Sequence, residues 1–361
     1  MNDKVTLMKG NEALAMAMIR YGADGYFGYP ITPQSEVLEK LEEEMPWDTT
    51  GMVVLQAESE VAAINMVYGG AMTGKAVCTS TSSPGFSLMQ EGVSYLAASE
   101  VPALLINVQR GGPGLGTIHA SQADYFQACK GGGHGDYHMI VLAPSSVQEM
   151  ADMVALGFDL AFKYRCVSMI LADGTIGQLM EKVVLPEQRP RRTEEQIREQ
   201  CPWAVNGRKG MRPSNVVTSL ELDDDKMEEN NWRFQACYRE IEKNETRCEL
   251  IDVEDCDYLI TAFGTTARIA MKTMELARAE GIKVGMFRPI TLWPFPEKQL
   301  REAAKNVKGL LCVELNAGQM VEDVKLAVEC KMPVEHYGRF GGNVPTPDEL
   351  LNVLKEKLIN K

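Results

Sequence analysis

Short apolar runs alternate with amphipathic segments along the first half of the chain. Each apolar run is nearly continuous, which is typical of a strand buried on both faces of a parallel sheet. The segments between them have helical spacing; in residues 33–45, for example, Val37, Leu38 and Leu41 fall on one side. This rhythm predicts a parallel sheet with helices on both of its faces. The predicted strands are residues 26–29, 52–55, 76–79, 103–108, 139–142 and 167–171, and the predicted helices are residues 33–45, 58–72 and 145–162.

The rhythm stops near residue 186 and returns near residue 256. In the segment between these points charge is dense and strand signals are few, which predicts a linker or surface excursion with one helix over residues 230–243. A solvated connection and a strap packed on a partner chain are both open at this stage. The chain thus divides into a first α/β domain (1–185), a charged segment (186–255) and a smaller α/β domain (256–361). The predicted strands of the last domain are residues 258–262, 284–287 and 310–313, and its predicted helices are residues 265–280, 295–306 and 318–330.

The acidic balance of the chain disfavours nucleic acid as a partner. Across 361 residues, 37 basic side chains stand against 50 acidic ones, for a formal net charge of -13. The first residues lack the unbroken apolar stretch of a secretory signal, and no run approaches the roughly 20 residues of a membrane span. The 9 cysteines stand singly and their number is odd. We therefore expect a cytoplasmic protein with reduced thiols, no membrane partner and no metal site of its own.

Two glycine-rich stretches need separate interpretations. Residues 69–76 nearly match the phosphate-binding loop of nucleotide triphosphatases, but Ala76 replaces the hydroxyl residue and the stretch precedes a strand. A helix end and a turn are predicted there. Residues 111–116 follow a strand and lack the spacing of a dinucleotide-binding loop. They form either a flexible loop or a close backbone approach to a ligand.

Three short polar motifs follow predicted strands of the first domain. In the first motif, Tyr29, Pro30 and Ile31 lead to Thr32, which the next residue, Pro33, places at the N-cap of a predicted helix. A capping role for Thr32 would be structural only. The alternative is that its hydroxyl and the free backbone N–H groups bind an anionic oxygen.

Glu60 and Arg110 are the charged residues of the other two motifs. Glu60 opens a helix that is otherwise small and apolar; a carboxylate in this place is commonly a partner of the helix dipole, and a role in chemistry is the alternative. Arg110 is the first charged residue after a strongly apolar run. A fixed guanidinium there suits a carboxylate ligand, and an ordinary arginine in a surface loop is the alternative.

Four ordered segments of the chain resemble the alpha subunits of the 2-oxoacid:ferredoxin oxidoreductases: YPITPQSE, ESEVAAINMVYGGA, STSSPGFSLMQEG and the arginine–glycine loop that begins at Arg110. Two later segments, DYLITAFGTTARIA and GMFRPITLWPFP, resemble the transketolase carboxyl-terminal-like domain that follows in that family. The resemblance covers nearly the whole chain except the charged segment. It implies an α/β fold with a parallel-sheet domain of the kind that binds the pyrimidine of thiamine diphosphate, followed by a smaller transketolase C-terminal-like α/β domain.

The same resemblance implies roles for the motif residues. Glu60, the glutamate followed by Val-Ala-Ala, matches the residue that contacts the pyrimidine ring nitrogen and activates the cofactor. Thr32 and Arg110 match the residues that hold the 2-oxoacid. The cofactor-binding residues that it implies are Tyr29, Pro30, Ile31 and Glu60.

Partner subunits are implied by what the chain lacks. The sequence contains neither the Gly-Asp-Gly…Asn-Asn motif that holds the diphosphate and magnesium nor closely spaced cluster-binding cysteines. The resemblance therefore implies a beta subunit that carries the diphosphate-binding motif with magnesium, together with gamma and ferredoxin-like delta subunits. The [4Fe-4S] clusters are expected on these partners, and coenzyme A and ferredoxin are expected to react with the complex.

The implied reaction is the oxidative decarboxylation of a 2-oxoacid to its acyl-CoA, with electrons passing to ferredoxin. Residues 110–144 look more like members that use 2-oxoisovalerate (3-methyl-2-oxobutanoate) than members that use 2-oxoglutarate. Three alternatives stay open here: a 2-oxoglutarate:ferredoxin oxidoreductase alpha subunit, a pyrimidine-binding subunit of a lipoamide-linked dehydrogenase or transketolase-like enzyme, and a non-catalytic α/β scaffold.

Overall fold

The computed structural model describes residues 5–208, 210 and 212–360. The outer ends of the predicted 1–185 and 256–361 domains, and residues 209 and 211 of the charged segment, lie outside the described residues. The strands are β1 (Val5–Lys9), β2 (Gly25–Gly28), β3 (Val53–Gln56), β4 (Val77–Thr81), β5 (Ala103–Gln109), β6 (Ile140–Leu142), β7 (Val167–Asp173), β8 (Met180–Val184), β9 (Cys248–Ile251), β10 (Tyr258–Ala262), β11 (Val284–Pro289), β12 (Thr291–Trp293), β13 (Gly309–Glu314) and β14 (Val334–Gly338). The helices are α1 (Gly10–Tyr21), α2 (Ser35–Glu44), α3 (Pro46–Thr49), α4 (Glu60–Met72), α5 (Pro84–Ala98), α6 (Tyr125–Cys129), α7 (Val147–Tyr164), α8 (Gly174–Gln178), α9 (Glu194–Gln200), α10 (Asp224–Asn244), α11 (Gly264–Ala279), α12 (Glu297–Ala303), α13 (Met320–Ala327) and α14 (Pro347–Leu354), and a π-helical turn (Lys355–Ile359) follows α14.

Seven of these strands form one sheet in the order β12-β6-β7-β5-β4-β2-β3. Its neighbouring strands run parallel except β12, which is antiparallel to β6. Every residue of β4 and β5 is buried, as expected for central strands covered on both faces. By contrast, β3 at the edge is mostly exposed. The predicted α/β class with a parallel sheet is confirmed.

A second sheet has the order β14-β13-β10-β11-β9, and β9 is its antiparallel edge strand. β9 lies inside the predicted 186–255 segment, while β12 comes from the predicted 256–361 domain and pairs with β6 of the large sheet. The chain therefore crosses between the two layers more often than its hydrophobic pattern indicated. The boundaries at 185 and 255 stay predictions. A separate ribbon pairs β1 with β8.

Buried polar side chains join the two α/β layers. Gln122 donates to the Phe263 carbonyl oxygen (2.7 Å) and accepts from the Leu315 N–H (3.0 Å). Asp173, at the end of β7, accepts from both the N–H (2.9 Å) and the hydroxyl (2.6 Å) of Thr265 in the first turn of α11. These bonds are satisfied only when both layers are in place, so they fix the second layer against the large sheet.

Helix α10 packs against the body of the chain instead of forming a free linker. It spans Asp224–Asn244, longer than the predicted 230–243, and its buried residues are Phe234, Tyr238 and Ile241. The Tyr238 ring meets the Trp293 ring edge-on, with 5.7 Å between centroids. Within the described ranges, no helix combines the length and the apolar content needed to cross a bilayer.

Candidate active site

The carboxyl ends of β3, β2, β4 and β5 open on the same edge of the large sheet, because these strands are neighbours and parallel. Residues 29–32 follow β2, Glu60 follows β3, residues 82–85 follow β4 and Arg110 follows β5. The structure thus brings the three predicted motifs to one place. We call the set formed by residues 29–32, Glu60, residues 81–85 and Arg110 the edge site.

Glu60 is the first residue of α4 and is 6% exposed. The preceding Ser59 is extended and caps the helix, since its hydroxyl accepts from the Ala62 N–H (3.2 Å). The exposed N–H groups of a helix start favour a negative charge there. The Glu60 carboxylate nevertheless has no hydrogen bond or ion pair with any residue that the structure describes. A buried carboxylate without a partner is costly, which makes Glu60 a candidate ligand-binding group.

A glycine allows helix α5 to approach Glu60 closely. A Cβ atom placed on Gly85, in the first turn of α5, would lie 2.6 Å from Glu60 Oε1 and 2.2 Å from Thr81 Oγ1. Both distances are far shorter than a van der Waals contact. Only glycine at residue 85 therefore lets the α5 backbone pack against both side-chain oxygens.

The Arg110 guanidinium is buried, with 8% of the residue exposed, but its contacts are to backbone carbonyls. Nη1 donates to the Thr32 carbonyl oxygen (2.9 Å) and Nη2 donates to the Leu115 carbonyl oxygen (3.0 Å). Its Nε–H has no partner, and no carboxylate pairs with it, among the described residues. A fixed guanidinium with an unused donor suits an anionic ligand.

The prediction that Thr32 caps a helix is wrong. Residues 32–34 form a turn in which the Gln34 N–H donates to the Ile31 carbonyl oxygen (3.0 Å), and α2 begins only at Ser35. The turn is held from outside, because Asn11 and Gln178 both donate to the Pro33 carbonyl oxygen, at 2.6 and 3.0 Å. The Thr32 side chain is exposed, and its backbone oxygen is the atom that contacts Arg110.

The remaining predicted cofactor-binding residues line the approach to this turn. Tyr29 and Ile31 are half-buried and Pro30 is exposed. The Tyr29 carbonyl oxygen accepts a long hydrogen bond from Gln34 (3.5 Å), itself almost fully buried. Position alone places residues 29–31 in the edge site, and their roles toward a cofactor stay predictions.

Ser83 connects the β4–α5 turn to Arg110. Its hydroxyl accepts from the Arg110 N–H (3.0 Å) and donates to Asp124 Oδ2 (2.6 Å). Asn107 binds the same pair, accepting from the Ser83 N–H (3.0 Å) and donating to Asp124 (2.9 Å). Burial raises the pKa of Asp124, against the hydrogen bonds from Ser83 and Asn107 that lower it. Ser83 itself has φ 23°, a strained value for a residue with a side chain.

The glycine-rich stretch after Arg110 is a closed loop. Two backbone bonds form its neck, from the Thr117 N–H to the Gly111 oxygen (2.8 Å) and from the Gly111 N–H to the His119 oxygen (3.0 Å). Gly116 has φ 55°, and a Cβ there would lie 1.7 Å from the Gly111 oxygen, so the tight course of the loop requires glycine. A cavity of about 560 Å³ opens beside it, lined in part by Thr32, Ile118, His119 and Gly342.

Fold and site together define a class of protein: an α/β chain with a buried, unpaired carboxylate and a buried arginine at one edge of a parallel sheet, followed by a second α/β layer. Residues 16–244 match the family described as pyruvate flavodoxin/ferredoxin oxidoreductase, thiamine diphosphate-binding. Residues 256–350 match pyruvate:ferredoxin oxidoreductase core domain II.

Relatives extend over the whole chain. The ketoisovalerate oxidoreductase subunit VorB of Methanothermobacter marburgensis is 47% identical over 351 residues, which is 97% of each chain. The 2-oxoglutarate synthase subunit KorA of the same organism is 35% identical over 376 residues, covering 96% of this chain and 97% of its own.

Solved structures agree with these relatives. The 2-oxoglutarate:ferredoxin oxidoreductase from Magnetococcus marinus, with 2-oxoglutarate, coenzyme A and succinyl-CoA bound, superposes with a TM-score of 0.82 at 28% identity, over 98% of this chain and 65% of that one. A split-gene transketolase has the same fold, with a TM-score of 0.60 at 13% identity. The chain belongs to the thiamine-diphosphate-dependent 2-oxoacid:ferredoxin oxidoreductase family, as its motifs predicted.

The edge site fits the pyrimidine half of thiamine diphosphate. A ring nitrogen needs a carboxyl partner, and the buried Glu60 carboxyl group has no partner among the described residues. Buried hydroxyls of Thr81 and Ser82 also lack partners among the described residues. No group of three or more His, Cys, Asp or Glu side chains suited to a metal ion occurs in the described part of the chain.

Several residues of the site were missed at the level of sequence. Thr81, Ser83 and Gly85 all lie in the STSSPGFS segment, which carried the family resemblance but no individual role. One signal was available: five hydroxyl residues in a row, 79–83, begin at the last residue of the predicted strand 76–79. Asp124 gave no signal, because its contact with Ser83 joins residues 41 positions apart.

Proposed function

We propose that this chain is the alpha subunit of a 2-oxoisovalerate:ferredoxin oxidoreductase, which converts 3-methyl-2-oxobutanoate, coenzyme A and oxidised ferredoxin to the acyl-CoA, carbon dioxide and reduced ferredoxin. The observation that carries the proposal is that a buried carboxylate and a buried guanidinium lie at the same edge of the large sheet. Neither group has an ionic partner among the described residues. The substrate follows the 47% identity to the ketoisovalerate subunit against 35% to the 2-oxoglutarate subunit.

Glu60 is proposed to bind the pyrimidine ring nitrogen. Thiamine diphosphate, when bound, supplies the carbon nucleophile that adds to the oxo group of the substrate. The Glu60 carboxyl group shares a proton with the ring nitrogen and so promotes loss of the proton from that carbon. Burial of Glu60 excludes water that would compete for the shared proton.

Arg110 and Thr32 are proposed to hold the 2-oxoacid. The unused Nε–H of Arg110 donates to the substrate carboxylate, while its other donors keep the guanidinium plane fixed against two carbonyl oxygens. The exposed Thr32 hydroxyl, next to one of those carbonyls, hydrogen-bonds the substrate from the other side. Tyr29, Pro30 and Ile31 line the cofactor between these two groups.

A beta subunit is proposed to complete the cofactor site. Helix α4 supports this placement, because its exposed face carries Val61 (46% exposed) and Met66 (38% exposed) and no charged side chain. The beta subunit brings the diphosphate-binding motif and magnesium. Since the 9 cysteines stand singly in the sequence, the [4Fe-4S] clusters are placed on the beta subunit and the ferredoxin-like delta subunit, with a gamma subunit completing the complex.

The test is a substrate and acceptor panel on the assembled complex. Reduction of a one-electron viologen dye is measured with coenzyme A and 3-methyl-2-oxobutanoate, 2-oxoglutarate or pyruvate. We expect kcat/KM to be at least about tenfold higher for 3-methyl-2-oxobutanoate than for either other acid. A preference for 2-oxoglutarate would replace the proposed substrate, and turnover only with lipoamide would overturn the ferredoxin-linked reaction.

A further inference from the structure

Two buried hydroxyls on β4 have no evident structural purpose. Thr79 and Thr81 lie on one face of the strand, since they are two residues apart, and are 0% and 1% exposed. Neither hydroxyl has a hydrogen-bond partner in the part of the chain that the structure describes. A valine would fill the same volume without burying an unpaired polar atom. The threonines are therefore unexplained by packing alone.

Thr81 differs from Thr79 in what lies next to it. Thr81 Oγ1 and Glu60 Oε1 both lie within 2.6 Å of one point, the Cβ position that Gly85 leaves empty. No atom of Thr79 is among the three heavy atoms nearest to that point. One hydroxyl and one carboxylate oxygen thus lie beside Gly85, and they are not hydrogen-bonded to each other in this structure.

We propose that Thr81 is a positioning residue for Glu60. In the cofactor-loaded complex, a rotation of the Glu60 side chain brings one carboxylate oxygen within reach of the Thr81 hydroxyl. The hydroxyl then donates a hydrogen bond to that oxygen and leaves the other oxygen turned toward the pyrimidine ring nitrogen. The proposal rests on the proposed role of Glu60. A free glutamate side chain at a helix start has several rotamers, and a single donor from a rigid central strand selects one of them.

The test uses the assembled complex, stripped of cofactor and reloaded with thiamine diphosphate. Exchange of the C2 proton of the cofactor with deuterated water is followed by NMR in the absence of oxoacid, and cofactor affinity is measured by calorimetry. In Thr81→Val we expect the exchange rate and kcat to fall about tenfold, because a hydrogen bond to a charged group is lost. KM for the oxoacid is expected to stay unchanged, and Thr81→Ser is expected to restore the exchange rate.

Thr79→Val is the matched control, because it removes an unpaired hydroxyl from the same face of the same strand. Its exchange rate should equal that of the wild type. An unchanged rate in Thr81→Val, an equal fall in Thr79→Val, or failure of Thr81→Ser to recover would each overturn the proposal. Thr81→Ala provides a second variant without the hydroxyl if Thr81→Val does not assemble.

Glu60→Gln separates this proposal from the function on which it rests. Wild-type exchange in Glu60→Gln would overturn the role of Glu60 and the positioning role together. Loss of exchange in Glu60→Gln with a normal rate in Thr81→Val would overturn only the positioning role.

Discussion

At the scale of single residues, the edge site is defined by polar groups that the fold buries and leaves unpaired. Arg110 is instructive, because Nη1 and Nη2 each donate to a backbone carbonyl oxygen, while Nε has no hydrogen-bond partner among the described residues. A lysine could not reproduce this arrangement, since its single ammonium group lacks a planar fork. Ser83 adds a strained backbone (φ 23°) whose hydroxyl holds the Arg110 N–H. The strained backbone of Ser83 lowers the stability of the fold, but it fixes the position of Arg110 and its donors.

Two neighbouring glutamates allow a sharp test of the carboxylate assignment. Glu60 is buried, whereas Glu58 is exposed and accepts from the Ser59 hydroxyl (2.8 Å). We expect Glu60→Gln to lower kcat of the assembled complex by at least about 100-fold, because the amide has no acidic proton to share with the ring nitrogen. Glu58→Gln should retain near-normal turnover. Comparable losses in both variants, measured by dye reduction, would contradict the assignment of Glu60 as the activating group.

At the scale of elements, α4 combines a site residue with an unusual surface. Its only charged side chain is the buried Glu60, and its exposed residues include Val61, Asn65 and Met66. Surface helices normally turn charged residues to water, so an uncharged outer face indicates a covered one. The adjacent edge strand β3 is exposed as well, with Val53 48% and Leu55 42% exposed. Both features adjoin Glu60, where we propose that a beta subunit completes the cofactor site.

Met66→Glu tests whether this face binds the beta subunit. The residue lies about two turns along α4 from Glu60, so the change leaves the carboxylate itself in place. We expect the variant chain to keep its thermal stability and to lose co-purification with the beta subunit, because a carboxylate would be buried in an apolar interface. Leu326→Glu on α13, with the native leucine 62% exposed, is the matched control and should assemble normally. Normal assembly of Met66→Glu would place the interface elsewhere.

The hydrophobic pattern along the sequence was sufficient to predict the central strands, but it was insufficient to predict contacts between elements that are distant in sequence. The prediction of residues 103–108 corresponds to β5 (Ala103–Gln109), because a buried parallel strand is one continuous apolar run. The prediction of an N-cap at Thr32 was wrong because Asn11 and Gln178, which are far away in sequence, hold residues 32–34 in a turn. β12, of only three residues, was missed because its pairing with β6 is not encoded locally. Glu60 and Arg110 could be named from motifs, whereas Thr81 could be named only from its close approach to Gly85 and Glu60 in the structure.

At the scale of the whole molecule, one ion-pair cluster joins the two layers. Arg288 on β11 donates to both carboxylate oxygens of Glu149 on α7, at 2.6 and 3.0 Å, and also to Glu249 (2.8 Å). Burial acts to raise the pKa of Glu149, but the hydrogen bonds and charge of Arg288 outweigh it, so its pKa lies below the ordinary value. The Arg288 side chain is only 5% exposed, so its loss of hydration must be offset by these carboxylates.

The ion pairs of Arg288 with Glu149 and Glu249 should make the free energy of unfolding depend on pH in the acid range. A carboxyl group whose pKa is lower in the folded chain binds fewer protons there than in the unfolded chain. Its contribution to the free energy of unfolding is therefore present above the unfolded pKa of about 4.3 and is lost as pH falls through the folded pKa. At pH near 6 we expect Glu149→Gln to lower the free energy of unfolding by about 2–3 kcal/mol, through the lost charged hydrogen bonds. Thermal unfolding of the complex between about pH 5 and pH 3 should then show a shallower acid dependence than in the wild type. Glu275→Gln is the control, because Glu275 forms an exposed ion pair with Lys272, and it should change neither the free energy of unfolding nor its acid dependence appreciably. An identical acid dependence in Glu149→Gln and the wild type would exclude the contact between Glu149 and Arg288 as a pH-sensitive link between the layers.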